Sequence, residues 1–226
     1  PGVLTYSDEE VSAAVEEAHI RGMRVVTHSR SAAAVKQAVR HGVDVIGHAN
    51  YLDDEAVDML EAKRDQIFVC PAIAWEITLL DRGSELGLPR DAMEQRGYQK
   101  EVDETISAVK RLRDSKVRVL VGGDYGLNIT PHGTNSKDLE YFVDLFGMST
   151  SEALLCATRD GGAAADTSGM VGTLEEGKYA DLVIVDGNPL EDIRILQDHS
   201  RIVGVMKDGI MHCALMQKNP YIAPDE

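Results

Sequence analysis

Apolar and polar positions alternate in blocks along this chain. Val11, Ala14, Val15 and Ala18 recur at helical spacing behind Ser7-Asp8-Glu9-Glu10. There a capping hydroxyl and three acids mark a helix start, and Gly22 marks its end. Arg24 to His28 is a short β-prone run. Ser31 caps a second helical stripe of Ala34, Val35, Ala38 and Val39, closed by His41-Gly42. Val43 to His48 is β-prone again. A third helix is predicted over Asp53 to Lys63 and a strand over Gln66 to Cys70. Pro71 to Pro89 reads as irregular or mixed. A long polar-faced helix follows from Asp91 to Asp114, then a strand from Val117 to Val121 running into Gly122-Gly123-Asp124. Helices near Asn135 to Phe146 and Ser149 to Arg159 complete this part.

Nearly all-apolar strands alternating with helices predict a parallel sheet covered by helices. Four such strands are too few for a closed eight-stranded barrel, so the pattern implies an open sheet or half of a barrel. After about Asp166 the pattern changes. Glycines punctuate short β-prone runs at Gly169 to Leu174, Ala180 to Val185 and Ile202 to Met206, and Asp208-Gly209 signals a tight turn before Ile210-Met211-His212. Two domains are therefore expected: an α/β unit over residues 1–165, and a small β-module with a tail over 166–226. The stretch after about Gln217 reads as an interaction tail.

Composition narrows the function classes. The 226 residues, 43% hydrophobic, suffice for a sizeable core. No apolar run reaches the ~20 residues a membrane helix needs, and no signal-peptide pattern opens the chain. The start at Pro1-Gly2, without methionine, is expected of a processed, truncated or partial polypeptide. A formal charge of −15 repels phosphate backbones, so nucleic acid is not an expected partner. Cys70, Cys156 and Cys213 are odd in number and widely spaced, which argues against a disulfide framework and for the reducing cytoplasm.

His28, His48 and Asp124 each fall where a predicted strand ends. In parallel α/β folds those ends share one face, where function gathers. Two imidazoles and a carboxylate suit a divalent ion such as zinc. Either histidine alone reads better as a hydrogen-bonded loop residue. Two in consecutive units, with an aspartate after Gly-Gly, bring a metal site level with that plainer reading. His41 suits a helix cap, and Cys70 a buried inert thiol. Trp75 either walls a substrate pocket or packs, and His132 in Pro131-His132-Gly133 could reach the same mouth. Gly122 to Gly126 carries glycines for a phosphate cradle but lacks a P-loop lysine and a GxGxxG pattern.

The series VVTHS, GVDVIGHAN, VLVGGDYG and GMVGTLEEGKYADLVIVDGNPLEDI resembles the C-terminal half of a metal-dependent amidohydrolase, closest to the imidazolonepropionase-like and dipeptidase-like branch. The resemblance covers nearly the whole chain, and Gly172 to Leu190 is its most specific marker. It implies the second half of a distorted (β/α)8 TIM barrel followed by part of a small β-sandwich. It implies His28 and His48 as metal ligands from strands five and six, and Asp124 as strand-eight ligand and proton shuttle. One or two divalent ions, zinc by preference, would activate water against an amide-like carbon. His132, in a Pro-His-Gly that matches the family's, would contact a small-molecule substrate or support a ligand. Trp75 is nominated as a substrate contact from its position, apart from the resemblance.

The family's first-strand His-x-His and fourth-strand lysine have no counterpart, because the chain begins just before the fifth strand. The resemblance therefore implies a partner in the missing N-terminal half of the same enzyme, and open edges favour homo-oligomers. The expected activity is hydrolysis of an amide-like C–N bond in a dipeptide, N-acyl amino acid, cyclic amide, urea or carbamate. The rival expectation is a non-catalytic fragment or scaffold subunit.

Overall fold

The computed structural model describes residues 4–214. The expected tail after Gln217 and the Pro1-Gly2 start lie outside the described residues. Helix α1 (Asp8–Ile20) opens on a capping box in which Ser7 accepts from the Glu10 backbone and Glu10 accepts from Ser7. Strand β1 (Val26–Ser31), helix α2 (Ala32–Arg40), strand β2 (Val45–Tyr51), helix α3 (Asp54–Ala62) and strand β3 (Phe68–Cys70) follow. Ser31 and Asp53 cap α2 and α3 through their side chains. Then come helices α4 (Ile73–Arg82), α5 (Arg90–Gln95) and α6 (Tyr98–Asp114), strand β4 (Arg118–Val119), and helices α7 (Lys137–Asp144) and α8 (Thr150–Leu155). A π-turn over Cys156–Asp160 leads into α9 (Gly161–Ala165).

Strands β1 to β4 form a four-stranded parallel sheet in consecutive order, β1-β2-β3-β4. Ile46, Phe68 and Val69 from its strands are buried with Val35, Leu60, Ile73 and Leu112 from the covering helices. The order has no reversal point of the kind a doubly wound sheet carries. Among the described residues β1 pairs only with β2, and Val26 on its other side is exposed. No helix among the described residues is long and apolar enough to cross a membrane.

The second sheet is antiparallel, with β5 (Leu182–Val185), β6 (Ile202–Lys207) and β7 (Ile210–Ala214) in that order. Asp208 and Gly209, at φ 50° and 74°, make the β6–β7 turn. Two successive left-handed residues are what a tight hairpin turn of this hand requires.

Four expectations need correction. Residues 73–82 are helical within the segment expected to be irregular or mixed. The long helix is two, because Gly97 takes φ 89° between α5 and α6. The run Gly169 to Leu174 forms no strand. There Gly172 presses its backbone on the π-turn and α9, so closely that a Cβ would stand 2.9 Å from the Thr158 carbonyl oxygen and 3.1 Å from Gly162 Cα. Finally, the histidines do not end their strands, because β1 and β2 continue past them to Ser31 and Tyr51.

Candidate metal centre

The local backbone explains how the histidines meet. Thr27 and Ser29 share one face of β1, hydroxyl to hydroxyl at 2.9 Å. By the two-residue period of a strand, His28 and Arg30 take the other face. On β2 the pairing runs Ser29↔His48 and then Ser31↔Tyr51, so β2 carries one extra residue. The extra residue is absorbed at His48 and Ala49, which adopt φ 70° and 52°. A bulge of this kind re-aims a side chain. Gly47 lets the two strands close, since a Cβ there would lie 2.6 Å from the Thr27 carbonyl oxygen.

Asp124 arrives from the segment after β4, also in a left-handed conformation at φ 52°. The two glycines before it serve close packing. A Cβ on Gly122 would stand 2.6 Å from Cys70 Sγ, and one on Gly123 would stand 2.6 Å from Tyr125 Cε2 and 2.9 Å from Ala74 Cβ. Thr130 donates its hydroxyl to the Asp124 carbonyl at 3.2 Å and so ties the following loop down.

Three ligand-type atoms result, all within 4.8 Å of one another. His28 Nδ1 lies 2.8 Å from His48 Nε2. His48 Nε2 lies 3.4 Å from Asp124 Oδ2, and His28 Nδ1 lies 4.0 Å from Asp124 Oδ1. Four-coordinate zinc with bonds of ~2.0–2.2 Å holds its ligands about 3.3–3.6 Å apart. The observed separations bracket that spacing: the short His28–His48 contact has to open, and His28 has to close on Asp124. The His28 side chain, 76% exposed, is free to make that movement, while His48, at 1%, is fixed. Burial, with Arg30 and then His28 nearby, pushes the His48 imidazole down to about 3. It is therefore neutral at ordinary pH, with a lone pair to give. The donor set fits a divalent cation.

Among the described residues His132 and Trp75 stand outside this trio. His132 is exposed in the loop after Asp124, its ring over Gly126, where an added Cβ would lie 3.0 Å from Nε2. Trp75, on the first turn of α4, is half-buried against the hydrophobic core. His41 caps α2 as expected, its Nε2 3.3 Å from Asp8 Oδ1. Cys70 donates to the Gly122 carbonyl at 3.1 Å, and burial beside Asp138 pushes its thiol up to about 12, out of nucleophile range.

Sequence reasoning missed two buried acids near the trio. Glu76 on α4 is fully buried and bonded to Asn50 on β2 and Thr105 on α6. Asp138 on α7 is fully buried and pushed up to about 7 by that burial. The Gly122 and Ala74 amides and the Tyr125 hydroxyl lie nearest Asp138, yet none closes a well-formed hydrogen bond with it. The signal for Glu76 was a lone acid inside the apolar stretch Ile73-Ala74-Trp75-Glu76-Ile77.

Size alone would point to a different place. A cavity of about 880 Å³ lies at the far end of the sheet, around Arg24, Phe68 and Arg118. A smaller one of about 520 Å³ runs along the β1 edge, and of the three candidate ligands His28 lines it, with Arg30, Tyr6 and Gln37. Chemistry distinguishes the second, since the first gathers no comparable set of ligand atoms among the described residues.

Two parallel strands and the segment after β4 bring two imidazoles and a carboxylate to one point, which defines an α/β protein with a candidate metal centre. The pattern of the amidohydrolase family matches residues 1–211, and the chain belongs to that family. It is 27% identical over 225 residues to an ochratoxinase of Aspergillus niger, covering 99% of this chain and 44% of that protein. It is 25% identical over 192 residues to an imidazolonepropionase of Sphingopyxis alaskensis, covering 83% and 42%. The structure of a Xaa-Pro dipeptidase with methionine bound in its active site superposes with a TM-score of 0.79 at 28% identity, over 92% of this chain and 49% of that one. The chain thus spans somewhat less than half the length of these relatives.

Proposed function

We propose that this chain carries the C-terminal half of the active site of a metal-dependent hydrolase that cleaves an amide-like C–N bond. The convergence of His28, His48 and Asp124 within 4.8 Å carries the reading, and membership of the amidohydrolase family supports it. His28 and His48 would hold the cation through ring nitrogens, and Asp124 through a carboxylate oxygen. When bound, such an ion polarises the scissile carbonyl and lowers the pKa of water towards ~7. Asp124 then accepts the proton of the attacking water on a carboxylate oxygen and returns it to the leaving nitrogen. Zinc is the proposed metal, as one or two ions.

Residues 1–165 are proposed as the second half of a distorted (β/α)8 barrel, and residues 166–226 as part of a β-sandwich with its tail. Consecutive strand order and overlap with about half of related structures support this. The open β1 edge is proposed to pair with the other half of the barrel, which would supply the remaining ligands. Trp75 and His132 are proposed as substrate contacts by position, from the helix after β3 and the loop after Asp124. Similarity to a Xaa-Pro dipeptidase favours dipeptides within the substrate class. The alternative is a non-catalytic scaffold, favoured by the unpaired β1 edge among the described residues.

Incubating the full-length protein with N-acyl amino acids and Xaa-Pro dipeptides, before and after dialysis against a chelator, separates the two. Hydrolysis that is lost on chelation and restored by zinc supports the proposal. Chelation-insensitive hydrolysis contradicts the metal mechanism, and inactivity towards every amide tested favours the scaffold.

A further inference from the structure

Behind the histidine trio lies a closed polar cluster that the proposed reaction does not use. Asn50, Glu76 and Thr105 are each fully buried. Asn50 Nδ2 stands 2.6 Å from Glu76 Oε1 and 2.6 Å from Thr105 Oγ1. Thr105 Oγ1 stands 3.0 Å from Glu76 Oε2 and 2.8 Å from the Glu101 carbonyl.

The hydrogens in this cluster can be counted. A threonine hydroxyl has one. If Glu76 were ionised, that hydrogen would serve either Glu76 or the Glu101 carbonyl. The remaining contact would then bring two bare oxygens together in a site closed to water. With a proton on Glu76 Oε2, every contact gains a hydrogen: Glu76 donates to Thr105, Thr105 donates to the Glu101 carbonyl, and Asn50 donates to Glu76 and Thr105. Turning the Asn50 amide over would set its oxygen against Glu76 Oε1 and Thr105 Oγ1 and leave bare oxygen contacts even with that proton, so the nitrogen belongs on this side. Burial acts in the same direction and pushes Glu76 up to about 8.

The groups facing Glu76 are Glu101 and Thr105 from α6, Asn50 from β2 and Arg30 from β1, with Tyr51 also within electrostatic reach. Thr105, Arg30 and Asn50 favour the ionised form, but burial first and Glu101 second outweigh them. The one positive charge among the three is that of Arg30. It remains 3.9 Å from Glu76 Oε1 and gives its close hydrogen bond to Glu101 instead.

The cluster joins the trio through Asn50, two residues beyond His48 on the bulged stretch. His48 and Ala49 hold left-handed conformations that residues with a Cβ rarely adopt, and such a conformation persists only where its surroundings enforce it. Asn50, clamped by two side chains from two different helices, is the fixed point on its C-terminal side. We propose that Glu76, as a neutral acid, is a positioning residue: it clamps Asn50, Asn50 fixes the His48–Ala49 step, and that step aims His48 Nε2 at His28 and Asp124. The proposal rests on the metal-site reading for its consequence, though not for its geometry.

The test uses the full-length protein, with zinc affinity measured by competition against a chromophoric chelator. Glu76→Gln keeps one donor and one acceptor and binds zinc within about twofold of wild type. Asn50→Ala and Glu76→Ala lose about 10- to 100-fold, the usual range for groups that orient a metal ligand. Glu76→Gln falling as far as Glu76→Ala would overturn the neutral acid, and an unchanged Asn50→Ala would overturn the positioning. In parallel, the infrared spectrum of metal-free wild type at pH 7 is expected to show a protonated-carboxyl band that Glu76→Gln removes. Imidazole nitrogen NMR shifts of His48 are expected to move in Asn50→Ala. Wild type that binds no zinc would sink the metal-site reading, while a missing band or unmoved shifts would sink the inference itself.

Discussion

Replacing Asp124 by asparagine lowers kcat by about 10³-fold, the middle of the range for removing a general acid–base group, and leaves the fold in place. Asparagine cannot accept the proton that the proposed mechanism gives to this carboxylate, and it is a weaker ligand for a cation. The backbone has no reason to change. Asp124 sits at φ 52°, and asparagine shares with aspartate an unusual tolerance of that region. The Thr130 hydroxyl bonds the Asp124 carbonyl, not its side chain, so the loop anchor survives. Steady-state kinetics and a thermal melt on the full-length variant check both halves. Wild-type turnover would remove Asp124 from the chemistry, and a collapsed melt would make its role structural.

Gly47→Ala has the opposite signature, a large loss of stability with the ligand residues intact. The added methyl would lie 2.6 Å from the Thr27 carbonyl oxygen and 3.8 Å from His28 Cα. Neither is a side chain that can swing away. The β1–β2 pairing must open, and forced overpacking of this kind costs about 3 kcal/mol. Because His28 pairs directly with Gly47 in the sheet, the same movement displaces His28 from its place opposite Asp124 and His48, and zinc affinity falls with stability. Denaturant unfolding and zinc titration on one sample measure the two effects. An alanine variant as stable as wild type would show that the strands do not need this close approach.

Both predictions use features whose legibility in the sequence differs. The alternation of strands and helices was plain because Ser7, Ser31 and Asp53 cap helices whose apolar stripes follow at regular spacing. The order of the polar residues along the chain was also plain, and the three nominated ligands do lie together. The bulge that brings them together was not legible. It depends on left-handed backbone at His48 and Ala49, where no glycine announces it. Helix α4 escaped for a related reason: it is buried on several sides, and a helix apolar nearly all round loses the periodicity that betrays it. Glu76 was hidden in that same stretch. Its meaning comes from Asn50 and Thr105, 26 and 29 positions away in sequence. The run Gly169 to Leu174 misled through its β-prone composition, which close packing of Gly172 on Gly162 overrode.

The central claim is that His28, His48 and Asp124 share one divalent cation. Anomalous X-ray diffraction from crystals of the full-length protein grown with zinc tests it most directly. An anomalous peak is expected about 2.0–2.2 Å from a nitrogen of each histidine and an oxygen of Asp124. Zinc found elsewhere, or these three side chains hydrogen-bonded to one another with no peak among them, would contradict it.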